Sequence, residues 1–170
     1  MNIKEIESYI SKIPDYPKPG ILFYDISSLI YNEKAFSASI EVLKKAIKNY
    51  KFDIIAAIDA RGFIFGSALA LSFGVGLVMI RKQNKLPSKT FSYEYDLEYG
   101  KDILEINQEL QNKSCLIIDD LLATGGTGSA AVELIKKSKG DVCCFATLIE
   151  LNFLEGRKKF DIPVESIIQY

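Results

Sequence analysis

The sequence contains no histidine and no tryptophan, and only three cysteines and five prolines among its 170 residues. Each shortage excludes something. Without histidine there is no Ser-His-Asp or Cys-His catalysis, so any acid or base must be a carboxylate, lysine, tyrosine, cysteine or the substrate itself. Without histidine or a Cys-x-x-Cys pair, a structural zinc site has no ligand set. Three cysteines cannot form a closed set of disulfides. Cys115 lies in an apolar run and Cys143 adjoins Cys144, which predicts buried reduced thiols in a cytoplasmic protein. No apolar run approaches the roughly 20 residues of a membrane span. The start, MNIKEIESYI, is charged and amphipathic and does not read as a secretory leader. Neither sign of charge dominates: 21 Lys+Arg against 22 Asp+Glu leave a net charge of -1. Nothing therefore draws the whole chain to nucleic acid or to an anionic membrane.

What is present is ordinary for a packed globule: 48% apolar and 25% charged residues, enough for one domain over residues 1–170. Ile3, Ile6, Tyr9, Ile10 and Ile13 share one helical stripe and predict a helix over 3–13. Pro14, Pro17 and Pro19 in PDYPKPG stop it. Residues 21–30 are apolar but irregular and read as a structured loop with room for one short strand. Phe36, Ile40, Leu43, Ile47 and Tyr50, spaced four and three apart, predict a helix started by Asn32 and Glu33. From residue 53 the pattern alternates. Strands are predicted at 53–58, 75–80, 102–106, 114–118, 142–149 and 164–168, and helices at 63–73, 127–137 and 152–160. The stretch from 81 to 100 is polar and reads as a long surface excursion, in the shape of a hairpin and a candidate lid. Alternating strand and helix give an α/β fold with an open, mainly parallel twisted sheet and helices on both faces.

The chemistry concentrates in Cys115 to Ser129, CLIIDDLLATGGTGS. An apolar strand leads into Asp119 and Asp120, then a loop with Thr124, Gly125, Gly126 and Thr127, then a helix. In open α/β sheets, ligands bind beyond the carboxyl ends of the strands. A glycine-rich turn there lets several N–H groups converge, and the helix N-terminus adds positive potential. The segment is neither a P-loop nor a Gly-x-Gly-x-x-Gly dinucleotide turn. TGGTG alone would also suit a tight turn with no ligand, but two adjacent carboxylates repel each other and desolvate poorly. Sugar hydroxyls or a magnesium ion would justify them. A second corner, Asp59-Ala60-Arg61-Gly62, follows the strand at 53–58 and could present Arg61 to an anion; a surface arginine beside a capping aspartate is the plain alternative. Arg81, Lys82, Lys85 and Lys89 form a basic cluster that equally suits a solvated face.

These residues resemble the type I phosphoribosyltransferase family. The resemblance runs from about residue 13 to the C-terminus. It rests on Tyr16 to Ile26 (YPKPGILFYDI), Asp59 to Phe63 (DARGF), Ile80 to Pro87 (IRKQNKLP), Leu97 to Lys101 (LEYGK), the loop at 118–127, and Leu148 to Leu151 (LIEL). The proline-rich and LEYG segments point to the branch that uses adenine. The resemblance implies the type I phosphoribosyltransferase fold, with a small N-terminal hood near 13–30 and a flexible lid near 81–101. It also implies a purine-salvage transfer. Adenine and 5-phosphoribosyl 1-diphosphate, with Mg2+, give AMP and diphosphate through an oxocarbenium-like transition state. Such chemistry needs positioning and charge stabilisation, for which histidine is dispensable.

The resemblance also implies roles. Ala123, Thr124, Gly125, Gly126 and Thr127 would bind the 5'-phosphate. Asp119 and Asp120 would face the ribose hydroxyls. Magnesium would be carried by the diphosphate, with no direct protein ligand and only water-mediated contact from that pair. Asp59, Ala60 and Arg61 would form the diphosphate loop, with a cis Asp59–Ala60 peptide. Arg81, Lys82 and Lys85 would neutralise diphosphate, Arg81 by reaching a neighbouring subunit in a homodimer. Glu98 and Tyr99 would close over the site, Glu98 handling a proton near the base or only closing the lid. Phe23 would stack on adenine, while Tyr24 and Leu151 read its 6-amino edge through main-chain groups. Relatives often carry arginine at the Tyr24 position and serine at the Ala60 position, so this chain departs from the pattern at both. Two other readings share these motifs: a transferase for another purine such as xanthine, and a non-catalytic regulator that senses phosphoribosyl diphosphate and binds DNA. The length and the balanced charge leave little for the second.

Overall fold

A computed structural model describes residues 1–97 and 100–170. Asn2 opens helix α1 (Ile3–Glu7) with a capping box: its side chain accepts from the Glu5 N–H at 3.0 Å and Glu5 returns the bond at 2.7 Å. The helix ends there and not at Ile13. Ser11–Pro14 (β1) instead pairs antiparallel with Leu22–Asp25 (β2). Ile6 and Ile10 are buried, but Ile3 and Ile13, the two ends of the apparent stripe, are 46% and 38% exposed, so only the middle of the stripe packs on the core. The tip of this hairpin includes a cis Tyr16–Pro17 bond. Where a loop is expected, a short helix α2 (Ser27–Tyr31) follows, its start held by Asp25, which accepts from the Ser27 N–H and hydroxyl. Five residues burying only Leu29 carry no readable period. Helix α3 (Glu33–Ile47) begins where Asn32 accepts from the Ala35 N–H at 3.0 Å.

The sheet is then built from β3 (Ile54–Ile58), β4 (Gly76–Lys82), β5 (Phe91–Leu97), β6 (Gly100–Ile106), β7 (Ser114–Leu122), β8 (Asp141–Glu150) and β9 (Val164–Gln169). Helix α4 (Gly62–Phe73) joins β3 to β4, and α5 (Gly126–Lys137) joins β7 to β8. The spatial order is β5-β6-β4-β3-β7-β8-β9. The five strands from β4 to β9 run parallel, and β6 and β5 form an antiparallel edge. Ile55, Ala57, Leu116 and Ile118 face α3 and α4, while Ala56, Ile58, Ile117 and Val78 face α5. Burial on both faces is why these strands read as continuous apolar runs. The fold is α/β, as the alternation predicts.

Three boundaries differ from the sequence expectation in ways that bear on the site. Strand β7 runs on to Leu122, so Asp119 and Asp120 lie in the strand and not in the loop, Asp119 in register with Thr147 of β8. The 81–100 stretch takes the expected hairpin shape, Phe91–Leu97 pairing antiparallel with β6, but the hairpin extends the sheet edge through β4 and is not a free surface excursion. The expected helix over 152–160 is two 3-10 turns, Asn152–Leu154 and Gly156–Lys159. They are split where Glu155 takes a left-handed conformation, φ 51°, which an α-helix cannot contain.

Candidate active site

The carboxyl ends of β3, β4, β7 and β8 lie on one edge of the sheet, where the crevice of an open α/β fold forms. After β7 the chain turns through Ala123 and Thr124 to Gly125, whose φ of 78° is left-handed and which starts α5 with no side-chain cap. The first N–H groups of α5 have no partner inside the helix. With the helix's positive end behind them they have the arrangement that an anion cradle requires. A second glycine holds this loop in place. A Cβ on Gly156 would run into the Ala123 carbonyl oxygen and stand 2.8 Å from the Gly125 nitrogen; a Cβ on Gly125 would run into the Gly156 carbonyl. The two backbones therefore interlock only as glycines. Arg157, next in the chain, clasps buried Glu150 through Nε at 3.0 Å and Nη2 at 2.5 Å, and Ser166 adds a third bond to that carboxylate. Burial raises the Glu150 pKa, but the bonds from Arg157 and Ser166 outweigh it and hold the group below the ordinary value.

The corner after β3 works through a side chain. The Asp59–Ala60 peptide is cis. Gly62 lets the start of α4 approach β7: a Cβ there would stand 2.8 Å from the Ile118 carbonyl oxygen and 3.1 Å from Asp119 Oδ1. Arg61 reaches in two directions. Its Nη2 lies 3.0 Å from Asp120 Oδ2, and its Nη1 donates to the Tyr24 carbonyl at 3.1 Å. Its guanidinium also sits 5.0 Å from the centre of the Phe23 ring, within cation–π range.

The acid pair is buried at high cost. The Asp120 side chain is 6% exposed, and Oδ2 meets Arg61 as an ion pair without hydrogen-bond alignment, leaving that oxygen without a hydrogen-bond partner. Asp119 Oδ1 accepts the Asp120 N–H at 2.8 Å. Burial first, and the Asp120 charge second, push Asp119 well above the usual carboxylate range. Burial also raises Asp120, with Arg61 pulling it back. Unfilled acceptors in such a place are rare without a ligand to use them.

The hood supplies an aromatic face. Alternation along β2 sends Tyr24 inward, 5% exposed and stacked on Tyr170 at 4.6 Å. Phe23 points the other way, with Tyr16 edge-on at 5.0 Å. Tyr24 thus offers the site only main-chain atoms. Phe23, Tyr16, Ile26, Arg61 and Ile64 line a cavity of about 520 Å³. Leu151 is not among its lining residues. Its N–H donates to the Leu122 carbonyl at 2.9 Å and its own carbonyl accepts from Leu154 at 3.0 Å, so only one carbonyl lone pair remains for a ligand.

On the opposite flank, Arg81 Nε donates to Asp59 Oδ2 at 3.0 Å and Nη1 to the Lys85 carbonyl at 3.3 Å. Lys85 is exposed. Lys82 pairs with Asp102 and donates to the Tyr95 hydroxyl. Glu98 and Tyr99 lie outside the described residues.

Residues 26–168 match the model of the phosphoribosyl transferase domain. The chain belongs to the phosphoribosyltransferase family. An adenine phosphoribosyltransferase of Thermoanaerobacter sp. (strain X514) is 52% identical over 173 residues, covering all of both chains. One from Rhodospirillum centenum is 45% identical over 98% of each. The crystal structure of adenine phosphoribosyltransferase from Thermoanaerobacter pseudethanolicus superposes with a TM-score of 0.97 at 49% identity, covering 99% of this chain and 100% of that one. The Saccharomyces cerevisiae enzyme, complexed with an imino-altritol bisphosphate and adenine, gives 0.90 at 36% identity, over 97% of each.

Within this phosphoribosyltransferase, magnesium can be tested against the donors present. Among the described residues no group of three or more His, Cys, Asp or Glu is placed to hold a metal ion. The acid pair alone, with its unfilled Asp120 oxygen, suits hydroxyl groups or the water shell of an ion that keeps most of its ligands elsewhere. Gly156 and the Glu150–Arg157 clasp are absent from the sequence-based site. Nothing local marks them: a Gly-Arg pair inside a stretch that reads as a helix carries no signal, and its importance comes from a loop more than 30 positions away in the chain.

Proposed function

We propose that the chain transfers the 5-phosphoribosyl group from 5-phospho-α-D-ribose 1-diphosphate to adenine. The bond from ribose C1 to the diphosphate oxygen breaks, a bond from C1 to adenine N9 forms, the N9 proton leaves, and AMP and diphosphate are released. The observation that carries the reading is Arg61, which joins the buried Asp120 to the hood at Tyr24 and lies beside Phe23. A sugar-binding acid pair and a base-stacking face are thereby brought to one guanidinium. The names of the full-length relatives give the base.

In this reading the N–H groups and threonine hydroxyls of 123–127 hold the 5'-phosphate. Asp119 and Asp120 accept from the ribose hydroxyls and stabilise positive charge growing at C1. Arg61, Lys82 and Lys85 face the diphosphate. Phe23 stacks on the purine, and the main chain at Tyr24 reads its amino edge. Asp119 and Asp120 would hold a diphosphate-borne Mg2+ through its water shell, and the ion would supply charge neutralisation to the leaving group. Glu98 and Tyr99 are assigned to the lid, with Glu98 either taking the N9 proton or only closing over the base. The chain acts as a cytoplasmic homodimer, Arg81 exchanging its Asp59 partner for the neighbouring subunit's diphosphate. No helix among the described residues is long and apolar enough to cross a membrane.

The test is an assay with Mg2+ and phosphoribosyl diphosphate, offering adenine, hypoxanthine, guanine and xanthine separately and following nucleotide and diphosphate together. Equal amounts of AMP and diphosphate with adenine alone are expected. Adenine presents an amino donor where the others present a carbonyl, and each mispaired buried group costs about 1–3 kcal/mol. Comparable turnover with hypoxanthine would defeat the adenine assignment. No turnover with any base, despite tight phosphoribosyl diphosphate binding, would make the protein a sensor.

A further inference from the structure

Tyr95 is a buried tyrosine on β5, 8% exposed, named above only as a partner of Lys82 and given no role of its own. Its hydroxyl is the hub of three polar groups from three other elements. Lys82 Nζ, at the end of β4, donates to it at 3.1 Å. Asp102 Oδ2, on β6, lies 3.2 Å away and is also the ion-pair partner of Lys82. Thr127 Oγ1, in the first turn of α5, lies 3.3 Å away and can be either donor or acceptor. The hub thus joins a cation proposed for the diphosphate to a hydroxyl proposed for the 5'-phosphate.

The number of protons limits what the hub can do. A tyrosine hydroxyl has one proton and two lone pairs. Lys82 fills one lone pair. If the Tyr95 proton goes to Asp102, Thr127 must give its own proton to Tyr95 and keeps none for a ligand. If the proton goes to Thr127, Asp102 is served by Lys82 and by the Ile103 N–H at 2.8 Å, and the Thr127 proton is free to point outward. Lys82 has three donors, so it can hold Asp102 and Tyr95 and still offer one N–H to an anion. Only the second arrangement gives a continuous run of donors from Lys82 through Tyr95 and Thr127 toward the cradle, each bond polarising the next.

We propose that Tyr95 is a positioning residue that directs the Thr127 hydroxyl proton toward a bound 5'-phosphate, while Lys82 keeps Asp102 from taking the Tyr95 proton. The assignment rests on the cradle at 123–127 being the 5'-phosphate site. Tyr95 touches no substrate; it acts through Thr127.

The test measures binding of ribose 5-phosphate and of adenine by titration calorimetry, in the wild type and in Tyr95→Phe, Thr127→Val, the double variant and Asp102→Asn. Tyr95→Phe should weaken ribose 5-phosphate by about 3- to 10-fold, the range of one lost hydrogen bond, and leave adenine unchanged. In the Thr127→Val background it should add nothing, because the group it acts through is gone. Asp102→Asn removes the charge that competes for the Tyr95 proton, so ribose 5-phosphate should bind at least as well as in the wild type. Wild-type affinity in Tyr95→Phe overturns the proposal. So does an equal further loss in the double variant, or a fall in Asp102→Asn as large as in Tyr95→Phe. The last comparison keeps the proposal falsifiable if Tyr95→Phe does not fold. A wild-type protein that binds adenine but no ribose 5-phosphate removes the cradle assignment itself, and the proposal with it.

Discussion

The corners after β3 and β7 sit on neighbouring strands of one sheet, and each runs from strand to loop to helix without a side-chain cap. They prepare for a ligand in opposite ways. The β7 corner uses main chain: Gly125 takes a left-handed turn, Gly156 packs against it, and the first N–H groups of α5 have no partner inside the helix. The β3 corner uses one side chain, Arg61, which spans from Asp120 to the hood. A main-chain cradle depends on shape, so its faults should stay local. An arginine bridge depends on charge and reach, so its faults should spread to everything it touches.

The largest effect expected lies between the corners. Asp119→Asn with Asp120→Asn should lower kcat for AMP formation by two to three orders of magnitude, about the scale of losing a preorganised electrostatic partner. The thermal unfolding curve should stay cooperative. A kcat within tenfold of wild type would mean that the buried acids serve the fold alone. Next comes the shape-dependent corner. Gly156→Ala forces a Cβ against the Ala123 carbonyl and the Gly125 nitrogen. It should raise KM for phosphoribosyl diphosphate by about 10- to 100-fold with little change in KM for adenine, since small displacements of positioning groups have effects of this order. Stability should fall by roughly 1–3 kcal/mol.

The bridge should fail differently. Arg61→Lys keeps the charge but cannot reach Asp120 and the Tyr24 carbonyl together. Its kcat/KM should fall about tenfold for both substrates, whereas the Gly156 variant is impaired for one. Steady-state kinetics with each substrate varied in turn checks both. If Arg61→Lys impairs only one substrate, or Gly156→Ala impairs both equally, the contrast between the corners is wrong.

The same contrast explains what was legible in the sequence. The β7 corner is one contiguous segment whose glycines, threonines and acids each carry a physical reason, and strands buried on both faces leave apolar runs that no loop would have. The support of that corner was not legible. Gly156 matters only because Ala123 and Gly125 lie against it, and Tyr95 because β4, β6 and α5 converge on its hydroxyl. Likewise, the apolar spacing of 3–13 reads as one helix, yet Ile13 belongs to a strand that pairs with Phe23. Contacts distant in sequence decided each case, and a local pattern contains none of them.

The smallest expected effect follows from the cost of burying the acids. Asp119 faces the burial penalty and the Asp120 charge without an ion pair of its own, and its pKa is raised well above 3.8. A carboxyl group whose folded pKa is raised favours the folded state fully below its unfolded value. That contribution disappears as pH rises through the folded value, because the folded chain then loses a proton it held more tightly than the unfolded chain did. Asparagine resembles the protonated acid and carries no such penalty. Asp119→Asn alone should therefore be more stable than wild type at pH 7 to 8, by roughly 2–4 °C in Tm, the shift that about 1 kcal/mol makes in a chain of this size. The advantage should shrink on acidification and vanish below about pH 4, where both carboxyl groups are protonated in either state. A variant that is inactive yet more stable at neutral pH would show that the fold keeps this acid pair at a cost that only ligand binding justifies. A Tm advantage that grows toward low pH would reverse the sign and show that Asp119 is stabilised as a carboxylate, returning it to the same class as Glu150 with its Arg157 clasp.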